Sequence, residues 1–260
     1  MTWPQMISSG EERKKDLRGT WRQALGSLFG AVLLILVIRW AFFEPYVIPS
    51  GSMIPTLLIH DHILVNKFSY GVRTPFTSRW LVHFGLPKRG EVIVFRSVED
   101  DEVYLVKRVV GLPGDAIRVS AEGKLIVNSK QVPRETLTPE EVKTVTRDWP
   151  HEERDSVINQ YEIAMEDLGE PGSPRKHLTM RTLAHQQMAQ GPYVVPDNSL
   201  FMMGDNRDNS ADSRMWGELP LDRVLGRASL IWLSCEETLP EAKQVCDPST
   251  IRWDRLFKGI

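Results

Sequence analysis

Two serines and one lysine in this sequence could together perform nucleophilic catalysis. Ser50 and Ser52 flank Gly51 in the segment IPSGSMIPTL, and Lys107 lies within YLVKRVV. A serine hydroxyl becomes a nucleophile when a nearby base removes its proton, and a neutral lysine can be that base. A free lysine has a pKa of about 10.4. Burial has to lower this pKa by about 3 units before the lysine can act near neutral pH.

The residues next to Lys107 favour its burial. Its apolar neighbours are Leu105, Val106, Val109 and Val110. The following residue, Arg108, points to the opposite face of a strand, where we expect it to stay in water. A Lys-Arg pair on a strand is more often exposed than catalytic. The interpretation of Lys107 as a base therefore depends on support from other segments.

Other kinds of chemistry lack their residue patterns. The six histidines include no HExxH pair, no zinc-binding spacing of cysteine and histidine exists, and no GxxxxGK[ST] phosphate loop occurs. His60 and His62 precede an apolar run, which is typical of boundary residues rather than of metal ligands or a serine-histidine relay. The net charge of -2 argues against nucleic acid as the main partner. We expect no metal and no cofactor.

An apolar segment before the serines predicts a membrane anchor. Residues 24–43 are apolar except for Ser27 and Arg39, and a helix of this length spans about 30 Å. A buried helix of a soluble protein is rarely apolar on every face, and no small-x-small site follows that would indicate a cleaved signal peptide. Basic residues in the preceding segment predict that residues 1–23 are cytoplasmic and that the chain after Phe43 lies outside.

Beyond the anchor, the pattern predicts a mainly β protein of short antiparallel strands. The predicted strands are residues 91–95, 103–110, 116–120, 124–128, 199–203 and 227–233. Pro113 and Gly114 suit the centre of a type II turn. Residues 134–190 are polar and charged, and we interpret them as an inserted subdomain with helical stretches at 162–168 and 178–190. The catalytic core then comprises residues 44–133 and 191–260.

Only two cysteines are present, Cys235 and Cys246. Outside the membrane they could form a disulfide bond, and two unpaired thiols are the alternative. The sequence leaves this choice open.

Four segments in order support the catalytic interpretation: PSGSMIPTL, RGEVIVF, YLVKRVVGLPGD and GDNRDNSADSRMWG. They resemble the conserved boxes of bacterial type I signal peptidase, a serine protease of the Ser-Lys class. The resemblance covers about residues 42–232 apart from the polar insertion. It implies antiparallel sheets that form a coiled, barrel-like catalytic core. It also implies that the enzyme removes signal peptides from secreted preproteins by cleaving after an Ala-X-Ala-like site.

The resemblance also implies a role for each matching residue. Ser52 is the nucleophile, Lys107 is the general base, and the Ser50 hydroxyl joins the Ser52 N–H in an oxyanion hole. Ser210 orients the lysine, and Asp212 and Arg214 support the site, while Asp205, Arg207 and Asp208 brace the same loop. Apolar or stiff residues contact the substrate, namely Ile48, Pro49, Met53, Leu57, Leu105 and Val106.

The implied partners are secretory preproteins and the lipid bilayer, and we expect a monomer. The expected location is the cytoplasmic (inner) membrane, with one span and the catalytic domain on the periplasmic or extracytoplasmic side. Many relatives carry two amino-terminal spans, whereas this sequence has room for one. Residues 78–85 are unusually apolar, and we expect Trp80, Leu81 and Phe84 to dip into the membrane surface.

Two alternatives remain. A self-cleaving repressor-type Ser-Lys protease would need a DNA-binding module and a cleavable linker, and neither is visible in the sequence. A membrane-tethered binding module would use the serines only to cap turns.

Overall fold

The computed structural model describes residues 21–74, 80–149, 159–170, 172–184 and 188–260. It divides into two units, residues 1–42 and residues 43–260. The described part of the first unit is the helix α1 (Trp21–Ala41). Within the described residues, no helix combines the length and the hydropathy that a membrane span requires. Residues 1–20, which include most of the basic residues used to predict orientation, lie outside the described residues.

The second unit consists mainly of β-strands. In chain order the strands of the described residues are β1 (Phe43–Val47), β2 (Asp61–Asn66), β3 (Gly71–Arg73), β4 (Trp80–His83), β5 (Val92–Arg96), β6 (Tyr104–Gly111), β7 (Ala116–Val119), β8 (Leu125–Val127), β9 (Lys130–Gln131), β10 (Arg134–Thr136), β11 (Tyr161–Asp167), β12 (Lys176–Thr182), β13 (Gln190–Val194), β14 (Ser199–Met203), β15 (Leu219–Pro220), β16 (Val224–Ser234), β17 (Thr238–Leu239), β18 (Ala242–Cys246) and β19 (Lys258–Gly259). Two short helices accompany them, α2 (Pro139–Val145) and α3 (Ser213–Trp216).

The largest sheet has eight strands and carries the candidate site. Its order is β1-β2-β16-β5-β6-β14-β15, and β19 pairs with β16. All of these strand pairs are antiparallel, and the sheet curls into a half-barrel. Apolar runs such as VIVF in β5 form buried strands because both of their faces are covered. The prediction of a mainly antiparallel β fold is confirmed.

Smaller sheets surround the main one. The order of the four-stranded sheet is β13-β7-β8-β9, that of the three-stranded sheet is β10-β11-β12, and β3-β4 and β17-β18 are hairpins. Between β6 and β7 the Asp115 N–H donates to the Leu112 carbonyl at 3.0 Å. Gly114 has φ +83° there, as the third position of the predicted type II turn requires.

The polar segment between residues 134 and 190 differs from its prediction. Residues 162–168 and 178–190 are predicted to be helical, but the structure has β11 and β12 over residues 161–167 and 176–182, paired in register from Tyr161 and Thr182 to Asp167 and Lys176. Within the second range, residues 185–187 lie outside the described residues. The helical prediction is wrong because charged residues of these strands are buried against ion-pair partners, which hides the alternation of a half-buried strand.

The two cysteines form a disulfide bond, which links the end of β18 to the residue after β16. His62 lies beside it, with Nε2 3.3 Å from Cys246 Sγ, and burial lowers the pKa of this histidine. Since both sulfurs are used by the disulfide, this group offers no thiolate to a metal ion.

Candidate active site

A short turn between β1 and β2 presents Ser52. Gly51–Met53 form a single 3-10 turn, closed by a hydrogen bond of 3.2 Å from the Ile54 N–H to the Gly51 carbonyl. Met53 and Leu57 are completely buried in the same hydrophobic cluster as Ile63 and Val65 of β2. These apolar anchors fix the turn on the main sheet, and Ser52 itself is 8% exposed.

Lys107 reaches this turn from β6. The strand pairing places Lys107 opposite Ile93 of β5, in the middle of the sheet. Its Nζ donates to Ser52 Oγ at 2.7 Å and to the Val106 carbonyl at 3.1 Å. The lysine is 3% exposed. The structure therefore brings together the serine and the lysine that the sequence analysis paired.

The environment of Lys107 favours its neutral form. Burial lowers the pKa of Lys107 from 10.5 to about 8, although Asp212 and Asp205 act in the opposite direction. Among the described residues, no carboxylate oxygen is hydrogen-bonded to Nζ, because both of its hydrogen-bond partners are neutral oxygens. With this pKa, about one tenth of the lysines are neutral at pH 7. Such a lysine can accept a proton from a serine hydroxyl.

Ser50 lies directly before the turn. Ser50 has an extended backbone, with φ −136° and ψ 155°, and its side chain makes no capping hydrogen bond to the turn. Ser50 is exposed. Its hydroxyl can donate to a group bound next to Ser52.

The loop after β14 holds the Ser52 turn in place. The Asn206 N–H donates to the Ser52 carbonyl at 3.1 Å, and its side chain Nδ2 donates to the Gly51 carbonyl at 3.0 Å. Gly204 lies so close that a Cβ there would meet the Ser52 carbonyl at 2.5 Å and Ser210 Oγ at an even shorter distance. The backbones of the loop and the turn therefore pack directly against each other.

Asp212 and Arg214 brace this loop. Asp212 is fully buried at the start of α3. It accepts hydrogen bonds from the Gly204 N–H at 2.9 Å and from Arg214 Nε at 2.7 Å. Arg214 Nη2 also donates to the Arg207 carbonyl at 2.7 Å. The two residues thus connect both ends of the loop.

Ser210 differs from its expected role as the hydrogen-bond partner of the lysine. Within the described part of the chain its Oγ is buried and has no hydrogen-bond partner. It lies against Gly204, near the site but not bonded to Lys107.

The prediction that Arg108 stays in water is wrong. Arg108 is buried and forms two hydrogen bonds with Asp205, from Nε to Oδ1 at 2.7 Å and from Nη2 to Oδ2 at 2.6 Å. It also donates to the Gly90 carbonyl at 2.7 Å, and Thr56 donates to Asp205 Oδ2. Burial acts to raise the pKa of Asp205, but Arg108 holds it below its ordinary value. The bidentate pair is the reason that a charged residue is stable on this face.

The expected substrate-contact residues have different environments. Met53 and Leu57 are completely buried, and Ile48 is 3% exposed, so their contact with a substrate stays a prediction. These three side chains are part of the core that supports the turn. Pro49 is exposed, and Leu105 and Val106 are half-buried on β6. Only the latter three residues retain accessible surface for a substrate.

Several residues that build this site were not predicted from the sequence. Gly204 and Asn206 lie inside the quoted segment GDNRDNSADSRMWG, so the signal was present but gave them no role. Thr56 likewise lies inside the quoted segment PSGSMIPTL without a role, whereas Glu166 carried no signal of its own. Glu166 is fully buried against Arg207, although it belongs to the segment that was interpreted as solvated.

Comparison with known proteins decides the family. The model of the family described as "Signal peptidase, peptidase S26" matches residues 21–233. The chain belongs to this signal peptidase family. As a member of the S26 family, it is a peptidase and hence a hydrolase.

Relatives of this S26 peptidase cover most of its length. A signal peptidase I from Pseudomonas fluorescens is 37% identical over 221 residues, which are 81% of this chain and 72% of the relative. One from Pseudomonas aeruginosa is 37% identical over 219 residues, 80% of this chain and 71% of the relative. The crystal structure of a signal peptidase I from Enterococcus faecalis V583 matches with a TM-score of 0.31 and 22% identity, covering 56% of this chain and 98% of that one.

Proposed function

We propose that this S26 peptidase is a monomeric serine endopeptidase that removes N-terminal signal peptides from secretory preproteins by a Ser-Lys mechanism. The observation that carries the proposal is the contact of 2.7 Å between Lys107 Nζ and Ser52 Oγ in a buried site. A lysine with a lowered pKa next to a serine hydroxyl is the arrangement that nucleophilic catalysis without histidine requires. The printed names of the relatives support the substrate class.

In the proposed reaction, neutral Lys107 accepts the proton of Ser52 as Oγ attacks the carbonyl carbon of the scissile peptide bond. The tetrahedral oxyanion accepts hydrogen bonds from the Ser50 hydroxyl and the Ser52 N–H. The protonated lysine then gives its proton to the leaving amine, the C–N bond breaks, and an acyl-enzyme remains. Water attacks the ester with Lys107 again as base, which releases the signal peptide and returns the proton to Ser52.

The proposed cleavage site is small-x-small, of the Ala-X-Ala type. Pro49 is exposed, and Leu105 and Val106 are half-buried on β6, so all three retain apolar surface for a substrate. A shallow pocket accepts an alanine side chain and excludes larger groups by overlap. An extended substrate can add its main-chain hydrogen bonds along a strand edge.

Residues 24–43 are proposed to anchor the enzyme in the cytoplasmic membrane, with the catalytic unit on the outer side. The support is the apolar composition of this segment and the basic residues before it. Leu81 and Phe84 are 59% and 54% exposed near the hairpin β3-β4, as an added membrane contact requires, while the side chain of Trp80 lies outside the described residues. Alkaline carbonate extraction of membranes tests the anchor, because a full chain released by carbonate would contradict it.

The decisive experiment uses the purified full chain in detergent and a preprotein with a small-x-small site. Ser52→Ala and Lys107→Ala should each abolish cleavage while circular dichroism stays unchanged. The matched controls, Ser249→Ala and Lys130→Ala, change exposed residues of the same types and should cleave like the wild type. Cleavage by Ser52→Ala would refute the mechanism. Preprotein that is bound but never cut by the wild type would favour a membrane-tethered binding module.

A further inference from the structure

The inserted sheet is bonded directly to the loop that holds the nucleophile turn. On β12, the Met180 N–H donates to the Asp205 carbonyl at 2.8 Å, and the Met180 carbonyl accepts from the Arg207 N–H at 2.9 Å. Two residues later, the Thr182 N–H donates to Asp208 Oδ2 at 2.8 Å. Residues 205–208 therefore extend the inserted sheet at the edge of β12, in a parallel bridge.

A buried ion pair reinforces this junction. Glu166, on the middle strand β11, is 0% exposed. Its Oε1 accepts from Arg207 Nη1 at 2.8 Å, and its Oε2 accepts from Arg207 Nη2. Arg134 Nε lies 3.6 Å from the same carboxylate. A bidentate carboxylate fixes both the position and the orientation of a guanidinium.

The opposite face of the same loop contacts the catalytic serine. Asn206, next to Arg207, donates hydrogen bonds to the carbonyls of Ser52 and Gly51. Asp205 holds Arg108, the neighbour of Lys107 on β6. The loop thus lies between the inserted sheet on one side and the Ser52 turn and β6 on the other.

We propose that Glu166 is a positioning residue for catalysis: through Arg207 and the loop 205–207 it sets the placement of the Ser52 turn relative to Lys107. The inference rests on the proposed roles of Ser52 and Lys107. It gives the polar insertion a part in the reaction, although none of its residues touches the reacting atoms. A displacement of about 1 Å between reacting groups can lower a rate by about 10²-fold, so a loosened loop affects turnover more than substrate binding.

Glu162 provides a matched control for Glu166. It lies on the same strand and bonds to Arg134 at 3.0 Å, as well as to Thr136. Glu162→Gln therefore removes a carboxylate that lies on the same strand as Glu166 and also pairs with Arg134. It leaves the bidentate contact between Glu166 and Arg207 in place.

The test compares Glu166→Gln and Glu162→Gln in the full chain with a preprotein substrate. We expect kcat to fall about 10- to 100-fold in Glu166→Gln, with KM within about twofold of the wild type, because the substrate surface at Pro49, Leu105 and Val106 is unchanged. Glu162→Gln should keep both constants within about twofold. A kcat of Glu166→Gln equal to that of the control would overturn the proposal.

A second variant covers the case in which Glu166→Gln does not fold. Glu166→Asp keeps the charge but shortens the side chain, so we expect a folded enzyme with a kcat about tenfold lower and an unchanged KM. Wild-type kinetics of Glu166→Asp would overturn the proposal, as would failure of both variants to fold, since Glu166 would then be only structural. Cleavage by Ser52→Ala would instead refute the underlying mechanism, which separates the two failures.

Discussion

Lys107 and Arg108 are neighbours on one strand and both are buried, yet their surroundings differ. Lys107 Nζ bonds to a serine hydroxyl and a backbone carbonyl. Arg108 bonds to both oxygens of Asp205. Desolvation lowers the pKa of the lysine to about 8, whereas the bidentate carboxylate compensates the charge of the arginine and fixes its position. A buried lysine that bonds only to neutral oxygens can give up its proton, whereas a buried arginine keeps its charge and needs a counter-charge.

The same contrast separates the two regions around the site. The Ser52–Lys107 contact leaves its cation without a bonded counter-charge. The pairs Arg108–Asp205 and Arg207–Glu166 form a fully compensated layer next to it. A bidentate contact between a carboxylate and a guanidinium fixes the geometry of the pair. These two ion pairs can therefore hold Ser52 and Lys107 in a geometry that is unfavourable for a charged lysine.

The largest effect is expected from replacing each of the two cations by the other type in separate variants. In Lys107→Arg the base remains protonated at every accessible pH, so we expect kcat/KM to fall by at least about 10³-fold. Arg108→Lys keeps the charge but loses the fork that matches Asp205, and we expect a loss of only about tenfold. Steady-state cleavage of a preprotein measures both. Equal losses in the two variants would contradict the distinction between Lys107 as the base and Arg108 as a structural ion-pair partner.

Much of this contrast could not be predicted from the sequence. Ser52 and Lys107 were predictable because their residue types and flanking apolar residues suggest their chemistry locally. Arg108 and Glu166 were not, because their partners Asp205 and Arg207 are distant in the chain, and a lone charge is expected in water. The strands β11 and β12 were missed for the same reason, since their inward charges become plausible only when their ion-pair partners are known.

The compensated layer should contribute more to stability than surface ion pairs. Asp205→Asn leaves Arg108 buried without its counter-charge, which should lower the free energy of unfolding by about 3–5 kcal/mol. The control Asp101→Asn removes the pair of Arg223 with a carboxylate side chain that is 70% exposed, and should lower it by less than about 1 kcal/mol. Chemical denaturation of the full chain in detergent measures both. Similar losses would mean that the layer is not specially stabilising.

The uncompensated lysine should itself destabilise the fold. Its pKa falls from 10.5 to about 8 on folding, so between these values the unfolded chain binds more protons and stability rises with pH. At 1.36 kcal/mol per pKa unit this corresponds to about 3 kcal/mol. This loss of unfolding free energy is fully present below about pH 8. Lys107→Met should therefore be more stable than the wild type by up to about 3 kcal/mol at pH 7.

The pH dependence of the stability of Lys107→Met tests whether the charge of Lys107 destabilises the fold. The difference in unfolding free energy between variant and wild type should shrink as the pH rises from 8 towards 10, because the lysine then loses its proton in the unfolded chain as well. Taking the difference cancels groups common to both proteins. A constant difference over this range would show that lost packing, not the charge of Lys107, sets the stability of the variant.

The activity of the wild type should itself depend on pH. Its kcat/KM should fall on acidification below about pH 8, because Lys107 becomes protonated. A rate that stays flat down to pH 5 would contradict the role of Lys107 as base.

The smallest effect is expected from adding a counter-charge beside the lysine. Ser210 Oγ is buried against Gly204, next to the Ser52 turn, so Ser210→Asp adds a carboxylate beside this turn. The pKa of Lys107 should rise, and we expect the acid limb to move up by about 1 pH unit.

Ser210→Asn separates charge from size in this experiment, because asparagine has nearly the same shape as aspartate but no charge. Both variants should lose some activity, since either side chain crowds Gly204. Only the aspartate variant should move the midpoint of the profile, and its activity should recover towards that of the asparagine variant as the pH rises. A shift shared by both variants would mean that packing sets the pKa of Lys107, and the contrast between a neutral and a charged partner would then lose its physical basis.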